Sequence, residues 1–137
     1  MARVVIDTNV LISSFLGGNP YQVFACWKRS ELALCVSPPI VEEYAKVFDR
    51  LGLHDEAEAV EFFKLLQKGF NVIFVGKTPK LQLVKTDPSD NKFIECVVAA
   101  EAECIISGDR ALLSIKNYLG IEILNPQTFL TKFRKEK

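Results

Sequence analysis

The sequence contains one histidine and no closely spaced pair of cysteines. A histidine-based catalytic triad or a histidine zinc site has nothing to be built from, because His54 stands alone in a polar stretch before a predicted helix. The cysteines are scattered through apolar segments, where a reduced cysteine behaves as a small hydrophobic residue. They are Cys26, Cys35, Cys96 and Cys104. The sequence therefore argues against a zinc enzyme and against a disulfide framework.

The chain also lacks a net charge and a long apolar run. Basic residues (Lys and Arg) and acidic residues (Asp and Glu) both number 17, so a bound polyanion would have to be held by a local basic patch or by bound cations. The longest apolar runs, such as Val10–Leu16, are far shorter than the ~20 residues needed to cross a bilayer. The N-terminus has no signal-peptide pattern. We therefore expect a cytoplasmic protein.

Short runs of β-branched and other apolar residues alternate with longer amphipathic stretches. The strand candidates are Val4–Ile6, Leu32–Val36, Val72–Val75, Ile105–Ser107 and Ile121–Leu124. Runs this poor in charge are typical of a parallel sheet covered by helices on both faces. With 137 residues, 49% of them hydrophobic, the chain predicts one α/β domain over residues 1–137. Its mainly parallel central sheet of about five strands is expected to be flanked by helices.

Three helices are predicted from capping residues and prolines at their N-termini. Their expected ranges are 38–50, 55–68 and 88–102. We assign Asp87 to capping the third helix, because a proline follows it directly. The polar, lysine-containing segment 76–86 is predicted to be a loop, and the charged residues 132–137 are predicted to be a frayed tail.

Two of the predicted strands lead into aspartate: the first into Asp7 and the fourth into Asp109. In an open parallel sheet, ligands bind outside the carboxyl ends of the strands, so both carboxylates are candidates for a functional site. Asn9 and Ser107 offer amide and hydroxyl groups that could orient carboxylates or bound water. The alternative interpretation is that each aspartate only caps the helix that follows it.

Helix geometry adds Glu43 and Asp90 to the candidates. At about 100° per residue, Glu43 lies at the rim of the apolar face of its helix, whereas Glu42 lies on the far side. Asp90 lies one turn before Ile94 on an inward-facing stripe, where a carboxylate is costly unless it is paired or bound to a metal. Two alternatives stay open: Glu43 as an ordinary boundary residue, and Asp90 as a first-turn acid that interacts favourably with the helix dipole.

Converging carboxylates require a cation, because two like charges about 4 Å apart repel by about 4 kcal/mol at an effective dielectric near 20. Ligands that are all oxygen favour Mg²⁺ or Mn²⁺. Such an ion polarises a phosphodiester and lowers the pKa of a bound water molecule. The acids Asp7, Glu43, Asp90 and Asp109 therefore predict metal-dependent phosphodiester hydrolysis.

Motifs along nearly the whole chain resemble the PIN-domain family of nucleases. They are Asp7-Thr8-Asn9-Val10-Leu11, the segment from Ser37 to Tyr44 that contains Glu43, Asp87-Pro88-Ser89-Asp90-Asn91-Lys92-Phe93, and Ser107-Gly108-Asp109. On the family's pattern, the four acids named above would be the metal-site and catalytic residues, with Asn9 and Ser107 as polar support.

The branch of that family that the chain most resembles contains the toxin ribonucleases of prokaryotic toxin–antitoxin pairs. This resemblance implies an RNA substrate, Mg²⁺ or Mn²⁺ as the cofactor, and an inhibitory antitoxin as a protein partner. It also implies a homodimer, which the ten Phe residues of a small chain favour independently.

Two other functions stay open on the sequence alone. A different Mg²⁺-dependent phosphohydrolase, such as an aspartyl-phosphate phosphatase, would use Asp7 as a nucleophile, although Asn9 stands where that class usually has a second aspartate. A non-catalytic RNA-binding module with a PIN-like fold would instead bind phosphates through basic side chains. The candidates for that role are Lys77, Lys80, Lys85, Lys92 and Arg110.

Overall fold

Six strands pair into one sheet at the centre of the computed structural model, which describes residues 1–85 and 87–136. They are β1 (Ala2–Ile6), β2 (Leu32–Val36), β3 (Val72–Phe74), β4 (Cys104–Ile106), β5 (Asn117–Tyr118) and β6 (Ile121–Leu124). Their order across the sheet is β3-β2-β1-β4-β6-β5. All neighbouring pairs are parallel except β5 with β6. The predicted α/β fold with a mainly parallel sheet is confirmed.

Seven helices of the described residues surround this sheet. They are α1 (Thr8–Ser13), α2 (Gly18–Lys28), α3 (Pro38–Arg50), α4 (Ala57–Lys68), α5 (Asn91–Ala99), α6 (Arg110–Leu113) and α7 (Pro126–Glu136). Two 3₁₀ turns, Ser14–Leu16 and Pro88–Asp90, extend α1 and precede α5. None of the helices in the described part of the chain combines the length and apolar character that crossing a bilayer requires.

The strands that contain few charged residues lie at the centre of the hydrophobic core. Every residue of β2 is buried, as are the last three residues of β1 and all of β4, which requires cover on both faces of the sheet. Aromatic rings from α2, α3 and α4 pack together in this core, with Trp27, Phe48 and Phe62 almost wholly buried. This packing fixes α3, and with it the residues of α3 that face the carboxyl ends of the strands.

Two of the predicted helices have bounds close to those expected from their capping residues and prolines. The helix predicted over 38–50 has those bounds, although Ser37 makes no side-chain cap hydrogen bond. The next helix begins at Ala57 rather than near residue 55 and ends at Lys68, as expected, before Gly69, whose φ of +76° is the left-handed conformation that glycine adopts easily.

The third predicted helix is shorter than expected. It begins as a 3₁₀ turn, becomes α-helical at Asn91 and ends at Ala99. Glu101 adopts a φ of +51°, and the Ala102 N–H then donates to the Val97 carbonyl at 3.0 Å. This reversal closes the helix before the predicted end at residue 102.

Two further segments were predicted as irregular. Residues 76–85 contain no helix or strand, as expected for the loop, and Thr86 lies outside the described residues. The prediction of a frayed tail was wrong for residues 132–136, because α7 continues to Glu136. Phe129 and Leu130 are buried, and the rings of Phe129 and Phe133 stack 5.4 Å apart one helical turn from each other. Lys137 lies outside the described residues.

Candidate metal centre

The carboxyl ends of β1 and β4 open into a cavity of about 330 Å³. All four acids predicted from the sequence line it, together with a fifth, Asp87. The full lining is Asp7, Thr8, Asn9, Glu43, Val47, Arg50, Asp87, Ser89, Asp90, Phe93 and Asp109. A cavity between α2 and α4 is larger, at about 480 Å³, but its Glu61 is paired with Lys28. The smaller cavity, which brings five acids together, is therefore the candidate functional site.

Both strand-end aspartates cap helices and also line the cavity. Asp7 is buried and accepts the Val10 N–H at 2.8 Å at the start of α1. Asp109 accepts the Ala111 N–H at 3.2 Å at the start of α6. The two interpretations of these residues are thus compatible, because a helix that follows a parallel strand begins at the edge of the sheet where ligands bind.

Ser107 links these two aspartates. Its hydroxyl donates to Asp7 Oδ2 and accepts the backbone N–H of Asp109 at 2.9 Å. Ser107 is completely buried, so this bridge is shielded from solvent. Asn9, the other polar support expected from the sequence, lines the same cavity but has an exposed side chain.

Three carboxylates approach one another most closely in this cavity. Asp87, Asp90 and Asp109 each offer an oxygen, and the three oxygens lie within 4.8 Å of one another. One carboxylate oxygen of Asp90 is buried and has no hydrogen-bond partner among the described residues. Buried polar atoms are normally paired, so this oxygen and the all-oxygen donor set fit a hard divalent cation.

Two acids of this cavity, Asp90 and Asp7, have raised pKa values. Burial, followed by the hydrogen bond to and the charge of Asp109, raises the pKa of Asp90 from its usual 3.8 to about 8. Burial also raises the pKa of Asp7, and the charge of Asp109 adds to that increase, although the hydrogen bonds from Ser107 and Val10 oppose it. Carboxyl groups with raised pKa values are those that a bound cation would return to the charged form.

The assignment of Asp87 to capping is correct for its position and wrong for its side chain. Asp87 occupies the N-cap position of the 3₁₀ turn, but its side chain makes no cap hydrogen bond and instead accepts the Ser89 hydroxyl at 2.5 Å. Its spacing from Asp90 was the available signal, because residues three apart on a helical turn share one face. The proline that follows Asp87 indicated the cap but not this shared face.

Glu43 reaches the cavity from α3, and Glu42 remains exposed. Next to Glu43, the wholly buried Tyr44 donates its hydroxyl to the carbonyl of Ile6, the last residue of β1. This bond ties α3 to the strand that leads into Asp7. Glu43 itself accepts the Thr8 hydroxyl on one oxygen and the Lys92 ammonium on the other.

Asn91 holds the loop that precedes the cavity acids. Its side-chain oxygen accepts the N–H groups of Leu83 and Val84 at 3.0 and 2.8 Å, and its amide nitrogen donates to the Val84 and Pro88 carbonyls at 3.4 and 3.1 Å. Sequence reasoning missed this clamp, which depends on the path of an irregular loop, and the Lys92 contact, which joins residues 49 apart in the chain.

Similarity to known proteins extends over most of the chain. Residues 3–111 match the family model described as PIN domain. An uncharacterized protein of Methanocaldococcus jannaschii is 28% identical over 150 aligned residues, which cover 97% of this chain and 92% of the relative. The range that matches the family model contains every acid of the cavity.

Proposed function

The chain belongs to the PIN-domain family, whose members are generally metal-dependent nucleases, and on that basis we propose that it is an endoribonuclease that hydrolyses RNA phosphodiester bonds. The observation that carries the proposal is the group of five carboxylates that line one cavity, among them a buried oxygen of Asp90 that has no hydrogen-bond partner in the described part of the chain. A purely structural acid would be expected to have its buried oxygens paired.

We propose Asp7, Glu43, Asp90 and Asp109 as the metal-site and catalytic acids, and we add Asp87 because of its distance from Asp90 and Asp109. Mg²⁺ or Mn²⁺, when bound, supplies Lewis acidity toward the phosphodiester and toward water. Asp87, Asp90 and Asp109 would hold the ion.

The remaining residues orient this group. Asp7 is kept in place by Ser107 and the N-terminus of α1. Asn9, at the mouth of the cavity, is suited to orient water or a substrate oxygen.

We further propose that the protein is the toxin of a toxin–antitoxin pair and acts in the cytoplasm as a single nuclease domain over residues 1–137. The support is the resemblance of its motifs to the toxin branch of the family. A homodimer would cover some of the large apolar side chains on the surface, such as Leu16 and Leu119, which are 86% and 79% exposed. Light scattering at micromolar concentration tests the dimer, and co-expression with the product of a short neighbouring gene tests the antitoxin.

The function itself is tested by incubating purified protein with single-stranded RNA and single-stranded DNA in Mg²⁺, in Mn²⁺ and in EDTA. We expect RNA cleavage that EDTA abolishes and that Asp7→Asn and Asp109→Asn each remove. Glu42→Gln is the matched control and should retain nearly full activity, because its carboxylate lies outside the cavity.

Other outcomes of this test support the alternative functions. Cleavage that persists in EDTA or in both aspartate variants contradicts the proposal. Binding of RNA without cleavage would support the non-catalytic module. Release of phosphate from a phosphomonoester by the same preparation would support the phosphohydrolase.

A further inference from the structure

Lys92 places its ammonium group against Glu43, one of the acids that line the cavity. Its Nζ lies 2.5 Å from Glu43 Oε1, and the two side chains are only 20% and 23% exposed. Solvent screens a partly buried pair less than it screens a surface pair, so the attraction between Lys92 and Glu43 is stronger than that of an exposed pair. The Thr8 hydroxyl donates to the second oxygen, Glu43 Oε2.

These contacts give Glu43 a different environment from the other cavity acids. Its oxygens are engaged by side chains from two other helices, Thr8 of α1 and Lys92 of α5. Asp90, in contrast, has an oxygen with no partner among the described residues. The closely spaced carboxylates of Asp87, Asp90 and Asp109 form a group that does not include Glu43.

We propose, on the premise that the protein is a metal-dependent nuclease, that Lys92 is a positioning residue: it holds Glu43 back from the cation, so that Glu43 serves the metal site without being a direct ligand. Glu43 is thereby kept at the cavity wall, where it can orient water or substrate, while the aspartates bind the ion. Lys92 also places a positive charge beside this acid, next to a cavity that is lined by five acids and Arg50. Its presence therefore limits the affinity of the site for divalent cations.

The proposal predicts opposite changes in cation affinity and in turnover. Lys92→Met keeps a similar length and apolar stem but removes the charge, and it frees Glu43 to approach the ion. We expect Mg²⁺ or Mn²⁺, measured by calorimetry without nucleic acid, to bind roughly tenfold more tightly. We expect kcat for RNA to fall by at least about tenfold, with little change in KM. Lys92→Arg, which keeps a cation near Glu43, should return both the cation affinity and kcat part of the way to their wild-type values.

A metal-free measurement isolates the contact itself. In EDTA, Lys92→Met should lower the denaturation midpoint, because it leaves the partly buried Glu43 without its cation. Adding Glu43→Gln to that variant should raise the midpoint again, so a double-mutant cycle should show coupling. Lys46→Met, on the exposed side of α3, is the control and should change neither the midpoint nor the cation affinity. If Lys92→Met does not fold, Lys92→Gln takes its place.

Three results would overturn the proposal. Unchanged cation affinity in Lys92→Met with a lower midpoint would mean that the lysine is only structural. Unchanged cation affinity with a raised KM and a weaker salt dependence would mean that Lys92 binds substrate phosphate directly. An absence of coupling in the cycle would mean that the pair does not form. A wild-type protein that cleaves no nucleic acid would refute the proposed function alone, since the cation and stability measurements do not depend on it.

Discussion

Asp90→Asn is expected to stabilise the metal-free protein. The unfolded chain ionises Asp90 near pH 4, whereas in the folded protein its pKa is raised to about 8 by burial and by Asp109. Between these pH values the folded state keeps a proton that the unfolded state has lost, so the free energy of unfolding falls as pH rises. Below pH 4 both states are protonated, and above pH 8 both are ionised. Asparagine does not ionise, so Asp90→Asn removes this pH-dependent loss of stability.

The size of the effect follows from the shift. The usual pKa of 3.8 lies about 3 units below pH 7. At 1.36 kcal/mol per unit, the gain in the free energy of unfolding has an upper limit of about 4 kcal/mol. Asp90 is only partly buried, so solvent screening reduces this value, and we expect a gain of about 1 to 2 kcal/mol at pH 7. For a chain of this size, that gain corresponds to a Tm increase of roughly 3 to 8 °C. The gain should disappear near pH 4.

The assay is thermal or urea unfolding in EDTA at pH 4, 5.5, 7 and 8. Asp55→Asn is the control: this carboxylate is 90% exposed and does not line the cavity, so its loss should change stability by only a few tenths of a kcal/mol. Added Mg²⁺ should stabilise the wild type by about 2.7 kcal/mol at a hundredfold excess over Kd, and should stabilise Asp90→Asn less.

A loss of stability in Asp90→Asn would contradict the expected stabilisation. If Asp90 is only a first-turn acid, Asp90→Asn should lower stability by a few tenths to about 1 kcal/mol. The response to Mg²⁺ would then equal that of the wild type. A stabilisation that is independent of pH would also contradict the account, because it would show that the titration of Asp90 is not its source.

The remaining predictions concern the neighbouring elements. Glu43→Gln should lose most cleavage while Glu42→Gln keeps nearly all, and a dead Glu42→Gln variant would reverse our assignment of the two glutamates. Asn91→Ala should lower the free energy of unfolding by about 1 to 3 kcal/mol, because it leaves backbone N–H groups without acceptors; it should also speed tryptic cleavage in the loop 76–85, and an unchanged cleavage rate would contradict the clamp. Glu101→Gly should raise stability by about 0.5 kcal/mol, because glycine adopts the positive φ at this position without strain; urea unfolding checks the sign.

Much of the fold was predictable because strands buried on both faces require charge-poor apolar runs. Each of the five predicted strands is present, and its bounds lie within two residues of those expected. The sixth, β5, has only two residues and depends on its antiparallel partner across a tight turn. Leu119 and Gly120 form that turn with φ values of +52° and +84°. Leucine is rarely found in such a turn, so no local signal marked it.

The sequence by itself determined that Asp7, Asp109 and Glu43 would reach the same edge of the sheet. Strand ends and helix faces have fixed periods of side-chain direction, and those periods can be read without tertiary contacts. The position of Asp90 on an inward stripe followed from the same rule.

Only the tertiary structure decided which groups these acids meet. Ser107 and Asp7 are 100 residues apart in the chain, and Lys92 and Glu43 are 49 apart. Whether such side chains touch depends on how helices from distant parts of the sequence pack on the sheet, and periodicity carries no information about that. Asp87 shows the same limit: its local sequence indicated a cap, and its proximity to Asp109, which follows β4, is visible only in the folded structure.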